Sequence, residues 1–275
     1  MRSLLVLALS AAAAFGAAPL AVVRASISEF DGGAPDPPGF EYPPGQTLFV
    51  TCRIANFTKS QDEKFHVAYS VQAFDPKGVP LDQIYKNEVI DEAGPQDRDW
   101  MPKVETEVVI PPLVATGIYK IVVKVDDLLA KTSAETELPF HVKGHALEAA
   151  DKVVVQNFRF FHGENDSQPM ERAVYKPGDG VWTKFDITGF QYGSNNKIDV
   201  SYVASVIAPS GKVLWTQPEP ATEQTESFYP RRYIPADFGI TLQPDIRPGV
   251  YTIAVAVKDA VGNQTCESRQ EFTIE

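Results

Sequence analysis

The sequence predicts an all-β chain, two tandem antiparallel β-sandwich domains behind a cleavable signal peptide. Three observations carry that prediction. The 275 residues are 44% hydrophobic and 22% charged, too apolar for a disordered chain and long enough for two cores. Past the leader, apolar residues alternate with period two in short runs closed by Pro and Gly, without helical periodicity. The two halves of the chain also repeat one another.

The leader comes first. Arg2 is a short positive region, Leu4 to Phe15 an apolar run too short to span a bilayer, and Ala14-Phe15-Gly16-Ala17-Ala18 a small-residue flank. Cleavage is expected after Gly16 or Ala18, giving a signal peptide over residues 1–18. No cysteine lies near the cleavage site to serve as a lipobox, and no later stretch reaches the ~18 apolar residues of a membrane span. The expected location is secreted or periplasmic.

The repeat sets the domain limits. Tyr42-Pro43-Pro44-Gly45 matches Tyr175-Lys176-Pro177-Gly178 at an offset of 133, and without a gap Phe49 meets Trp182, Ile54 meets Ile187, Phe57 meets Phe190 and Tyr69 meets Tyr202. Asp75-Pro76-Lys77-Gly78 then meets Ala208-Pro209-Ser210-Gly211. After a one-residue change of offset, Gly117-Ile118-Tyr119 meets Gly249-Val250-Tyr251, Asp127 meets Asp259 and Phe140 meets Phe272. Two units are too few for a solenoid. The expected limits are 19–143 for the first domain, 144–151 for a linker and 152–275 for the second. Within the linker, His145 to Ala150 has the composition of a helical turn.

Each unit reads as strands in order. Residues 22–29 and 153–160 open the copies; in the second, alternation buries Phe158 and Phe160 and leaves Phe161 undecided. Leu48, Val50, Cys52 and Ile54 share one face, as do Val181, Thr183, Phe185 and Ile187. Phe65, Val67, Tyr69 and Val71 form the next core face, matched by Ile198, Val200 and Tyr202. The β-branched runs from Tyr119 and Tyr251 are central strands, and Leu138 to Val142 and Gln270 to Ile274 close the copies. Pro-Gly after Tyr42 and Tyr175 suits a type II turn. Tyr119 and Tyr251, just after Gly-Ile and Gly-Val, suit tyrosine corners, whose hydroxyl returns to upstream backbone. About seven short strands per copy give an immunoglobulin-like sandwich.

The Tyr-x-Pro-Gly turn, the Asp-Pro-Lys-Gly turn and the Gly-x-Tyr strand opening together resemble the macroglobulin-type β-sandwich domain, within the wide immunoglobulin-like and fibronectin III-like class. The resemblance runs from the Pro-Gly turn to the last strand of each copy. It implies the fold and an extracellular or envelope interaction module. The family's thioester segment, Gly-Cys-Gly-Glu-Gln, is absent, so no catalytic residue carries over.

The chain has 36 acidic and 25 basic residues, a net charge of −11, which gives nucleic acid no electrostatic footprint. Nucleophile elbows, zinc-protease motifs and phosphate loops are missing, and the four histidines are scattered. No catalytic residue and no cofactor is expected. For a hard cation, the candidates are the loop and strand-end carboxylates Asp97, Asp99, Asp126 and Asp127; the alternative is solvated surface acid. Cys52 falls on a core face and Cys266 near a distal hairpin, which argues against a bridge between them. The segment Phe228-Tyr229-Pro230-Arg231-Arg232-Tyr233 combines aromatics with arginine, the composition of interface anchors, and Arg98 and Trp100 occupy the corresponding region of the first copy. Two readings stand: a binding loop for protein or glycan, or aromatics folded back onto their own sandwich or onto the seam between domains. The expected function is an exported, non-enzymatic binding or spacer module. The alternatives are a calcium-dependent adhesion-type module and an accessory domain of an unrecognised hydrolase.

Overall fold

A computed structural model describes residues 18–275, so the leader over residues 1–17 lies outside the described residues. The described chain is all-β, with two short 3-10 turns at Pro95–Asp97 and Ser194–Asn196. In the first unit β1 (Ala21–Ser28), β3 (Thr47–Ala55) and β6 (Lys103–Val109) form a three-stranded antiparallel sheet. Against it lies a five-stranded sheet in the order β2 (Glu41–Tyr42), β8 (Thr132–Val142), β7 (Gly117–Asp127), β4 (Lys64–Phe74) and β5 (Tyr85–Glu92). Its β2 pairs parallel with β8, and its other pairs are antiparallel.

The second unit repeats this plan. β9 (Val154–Phe161), β11 (Gly180–Thr188) and β15 (Ile234–Thr241) make the small sheet. β10 (Val174–Tyr175), β17 (Gln264–Ile274), β16 (Gly249–Asp259) and β12 (Ile198–Ile207) make the large one, with β13 (Val213–Thr216) and β14 (Ala221–Thr225) sharing the far edge of β12. The first unit has the single strand β5 at that edge.

The period-two reading explains both cores. Leu48, Val50, Cys52 and Ile54 are fully buried from β3, and Val181, Thr183, Phe185 and Ile187 are buried from β11. They meet Tyr119, Ile121, Val123 and Val125 of β7, or Tyr251, Ile253, Val255 and Val257 of β16, from the facing sheet. Each Val, Leu, Ile or Phe among them contributes about 1.5–3 kcal/mol on burial. Tyr119 donates to the Ala115 carbonyl at 2.8 Å and Tyr251 to that of Arg247 at 2.8 Å, the same corner in both copies. Gly45 and Gly178 hold φ of 83° and 89° in the Pro-Gly turns, which a Cβ would oppose.

The repeat extends to backbone irregularities. Arg24 and Asn157 take left-handed φ at matching bulges, where β1 slips against β3 and β9 slips against β11. Asn56 and Gly189 take it together at the next matched position.

One local expectation changes, and one open position is resolved. His145 to Ala150 is not a helical turn but an extended strap. His145 bridges Ala115, its N–H donating to Val114 and its carbonyl accepting from Thr116, and the Gln156 side chain holds the Glu148 backbone. Those external partners replace the hydrogen bonds that a helical turn would make. Phe158 and Phe160 pack against the second core as the alternation predicts, on Phe185 and Phe272, while Phe161 lies on the outer face beside Trp182 and is buried there, with Lys184 4.9 Å from the centre of its ring. Both cysteines are free. Burial pushes the Cys52 thiol up to about 11, so it behaves as a small apolar side chain.

Candidate functional site

The aromatic and arginine segment between β14 and β15 closes the seam between the units. The Tyr229 hydroxyl donates to Asp75 Oδ2 at 3.0 Å and accepts from Arg232 Nε at 3.0 Å. The Arg232 guanidinium also pairs directly with Asp75 and lies 5.1 Å from the centre of the Tyr229 ring. The Arg232 backbone N–H donates to the Leu113 carbonyl. Tyr229 is thereby counted into the core of the first unit although it belongs to the second. Tyr119 completes the cluster; burial first, eased by its contact with Tyr229, pushes its phenol up to about 12. Arg231 turns away to Glu223, while its carbonyl accepts from the Tyr192 hydroxyl. Tyr233 stacks on His145 of the strap, with ring centres 4.5 Å apart. Phe228 alone of these aromatics stays open to solvent.

Asp75 makes the seam possible. Its Oδ1 accepts the N–H groups of Lys77 and Val79, fixing the turn, which leaves Oδ2 aimed at the second unit. The matched residue in the second copy is Ala208, whose turn keeps the Gly211 to Ala208 backbone bond without any side-chain carboxylate.

The other candidate residues have local partners. Trp100 sits edge-on to Phe57 and tilted to Phe65, covering one end of the first core, and Arg98 is exposed beside it. Asp97 accepts from the Gly94 N–H, and Asp99 is exposed. Asp126 and Asp127 are consecutive in β7 and point to opposite faces. Asp126 pairs outward with Lys124 and Ser133, whereas Asp127 is buried and accepts from the N–H groups of Thr58, Leu129 and Ala130. Asp259 does the same for Gln191 and Gly262 in the second copy. Among the described residues no group of three or more His, Cys, Asp or Glu side chains is arranged to hold a metal ion.

A groove of about 870 Å³ lies over the outer face of the β9–β11–β15 sheet, within the usual ligand-pocket range of about 300–1,000 Å³. The strap forms one wall and the β9–β10 loop, with Glu164 and Pro169, forms another. At its floor Asp186 has a side chain only 5% exposed. Asn157 Nδ2 donates to Asp186 Oδ2 at 2.8 Å, and His145 Nε2 lies 2.6 Å from the same oxygen. Burial, with the Asp186 charge added, raises the phenol pKa of neighbouring Tyr233. The bulge on β9 is what turns Asn157 onto Asp186 and the Ala146 carbonyl. Beside this triad stand Lys184, Arg159 and Trp182.

No family model matches the chain, and no curated protein does. Among solved structures, a family 123 glycoside hydrolase from Clostridium perfringens aligns at 11% identity with a TM-score of 0.31, over 45% of this chain and 27% of its own. The C-terminal domain of the Streptococcus agalactiae AgI/II polypeptide BspA aligns at 10% identity with a TM-score of 0.31, over 94% of this chain and 100% of its own. The chain thus matches about a quarter of the hydrolase's length. Likeness at this level says nothing about the groove.

Sequence reasoning passed over the groove, yet the repeat held a signal for it. At matched positions the first copy has Phe49 for Trp182, Thr51 for Lys184, Arg53 for Asp186 and Arg24 for Asn157. A cluster changed in one copy while the core faces agree marks a property of that copy alone. Gly239 belongs to the same cluster, because a Cβ there would meet the Trp182 ring at 2.3 Å. Gly239→Ala should therefore lift Trp182 from the sheet at a cost of about 1–3 kcal/mol. Near-ultraviolet circular dichroism and a melting curve check this; an unchanged tryptophan signal would contradict it.

Proposed function

We propose that the chain is an exported, non-enzymatic binding module in which two immunoglobulin-like units, of the macroglobulin-type pattern, are held as one body and present the second unit's groove to a protein or glycan partner. The observation that carries this reading is the division of labour within the second unit. The Tyr229–Arg232 segment is consumed by the seam through Asp75, whereas the groove around Asp186 stays open and is lined by Arg159, Lys184 and Glu164. A buried carboxylate with its partners in place is a pre-organised recognition group. The leader sequence supports export, and among the described residues no helix is long and apolar enough to cross a membrane.

The test is affinity capture from envelope and secreted extracts of the source organism on the immobilised mature chain and on its Arg159→Glu variant. Arg159 is exposed in the groove, so the variant should keep the melting temperature of the parent. A component retained by the parent and lost by the variant is the expected result. Nothing retained above a blank support, with both proteins folded, would sink the reading. So would a turnover activity abolished by Asp186→Asn.

A further inference from the structure

The groove's chemistry narrows its ligand. We propose that it binds a short neutral oligosaccharide, with Trp182 as the stacking plate and Asp186, Asn157 and Arg159 as partners for sugar hydroxyls. This inference rests on the binding-module reading above.

Trp182 points away from the core on the middle strand of the sheet. Its indole lies between two glycines: a Cβ on Gly239 would meet the ring carbons at 2.3 Å, and one on Gly180 would come within 3.2 Å of the ring nitrogen. With neither Cβ present, the ring reaches over both glycines and lines the groove. A flat aromatic face carries negative charge density, which suits the weakly positive C–H face of a pyranose. The ring has no matching plate in the first copy, where Phe49 lies opposite Glu107 instead of glycine.

The polar groups around the plate alternate in kind. Asp186 has lone pairs to accept from hydroxyls, and Asn157 holds it in one orientation. Lys184 is fixed by the Asp166 carbonyl at 3.0 Å and by the Phe161 ring. Arg159 is exposed and brings donors. Charge is mixed: Lys184 and Arg159 stand against Glu164, Asp186 and Asp237 around the rim and floor, one carboxylate in excess. A polyanion would meet three carboxylates on a chain of net charge −11. An extended peptide would find side chains on the sheet face, where strand addition needs free backbone. A neutral ligand with many hydroxyls and one apolar face matches both the plate and the mixed donors and acceptors.

The experiment presents the mature chain to an array of neutral, sialylated and sulfated oligosaccharides, then titrates the retained sugars by tryptophan fluorescence. Variants are Trp182→Ala, Trp182→Phe and Arg159→Ala, with a melting curve for each. Neutral oligosaccharides should be retained. Trp182→Ala should weaken them roughly tenfold or more, and Trp182→Phe should recover part of the loss. Arg159→Ala, at an exposed position, should weaken binding with an unchanged melting curve, which keeps the test valid if Trp182→Ala unfolds. Retention of acidic sugars alone, or binding indifferent to Trp182 and Arg159, would overturn the inference. No sugar on the array, beside a component captured from extract in an Arg159-dependent way, overturns the saccharide and leaves the binding module standing. Silence in both experiments overturns both.

Discussion

Asp75→Ala should lower the stability of the folded chain by about 3–5 kcal/mol, the usual cost of removing one partner from a buried ion pair. Arg232 is left in the seam with its side chain 18% exposed and with the Tyr229 hydroxyl as its remaining partner. The Tyr229 hydroxyl, deeply buried, loses its acceptor at the same time. The turn itself should survive, because Ala208 occupies the same position in the second copy and keeps the backbone bond from Gly211. The Lys77 and Val79 N–H groups lose their Oδ1 acceptor as well, so part of the loss belongs to the turn and the rest to the seam. Two measurements separate the seam's share from general damage. Denaturant unfolding should resolve into two transitions where the parent unfolds as one, since the units no longer share the cluster. The double variant Asp75→Ala with Arg232→Met should recover much of the loss, because it leaves no unpaired charge behind. A single transition at parental midpoint for Asp75→Ala would show that the cluster contributes nothing.

The all-β class was legible because the information is local. Leu48, Val50, Cys52 and Ile54 announce one face of a strand without reference to anything distant, and the Pro-Gly turns announce where strands stop. The corner tyrosines were legible for the same reason, their partners lying four residues upstream. The strap was misread because its composition favours a helix while its partners, Ala115 and Gln156, come from other parts of the chain. The seam was visible only as two open readings of the Phe228–Tyr233 segment. What settles the place of Tyr229 and Arg232 is Asp75, more than 150 residues earlier. The groove went unseen since Asn157, Asp186 and His145 are far apart in sequence and meet only when the bulge on β9 re-aims Asn157. Comparing the copies position by position for changes, as well as for agreement, would have drawn attention to Trp182, Lys184 and Asp186.

Asp127→Ala should cost about 2–4 kcal/mol, because it strips an acceptor from the backbone N–H groups of Thr58, Leu129 and Ala130 at once. Water reaches part of this hairpin, Leu129 being exposed, which keeps the sum below three full desolvation penalties. Asp127→Asn retains one acceptor oxygen and should lose less. Acid titration distinguishes this structural role from that of a solvated carboxylate. Burial pushes the Asp127 carboxyl up, and its N–H donors more than offset that, leaving it below the ordinary value; Asp126 is lowered as well, chiefly by the Ser133 hydroxyl. A folded value below the unfolded one of about 3.9 means that the unfolded chain takes up the proton first as pH falls. The stabilisation is therefore complete above that value and drains away as pH drops through the depressed folded value. Stability measured from pH 6 down to pH 2 should fall more steeply for the parent than for Asp127→Asn, with the two curves converging at the acid end. Parallel curves over that span would mean that Asp127 is a surface acid whose bonds to the hairpin contribute nothing, and the matched role of Asp259 would fall with it.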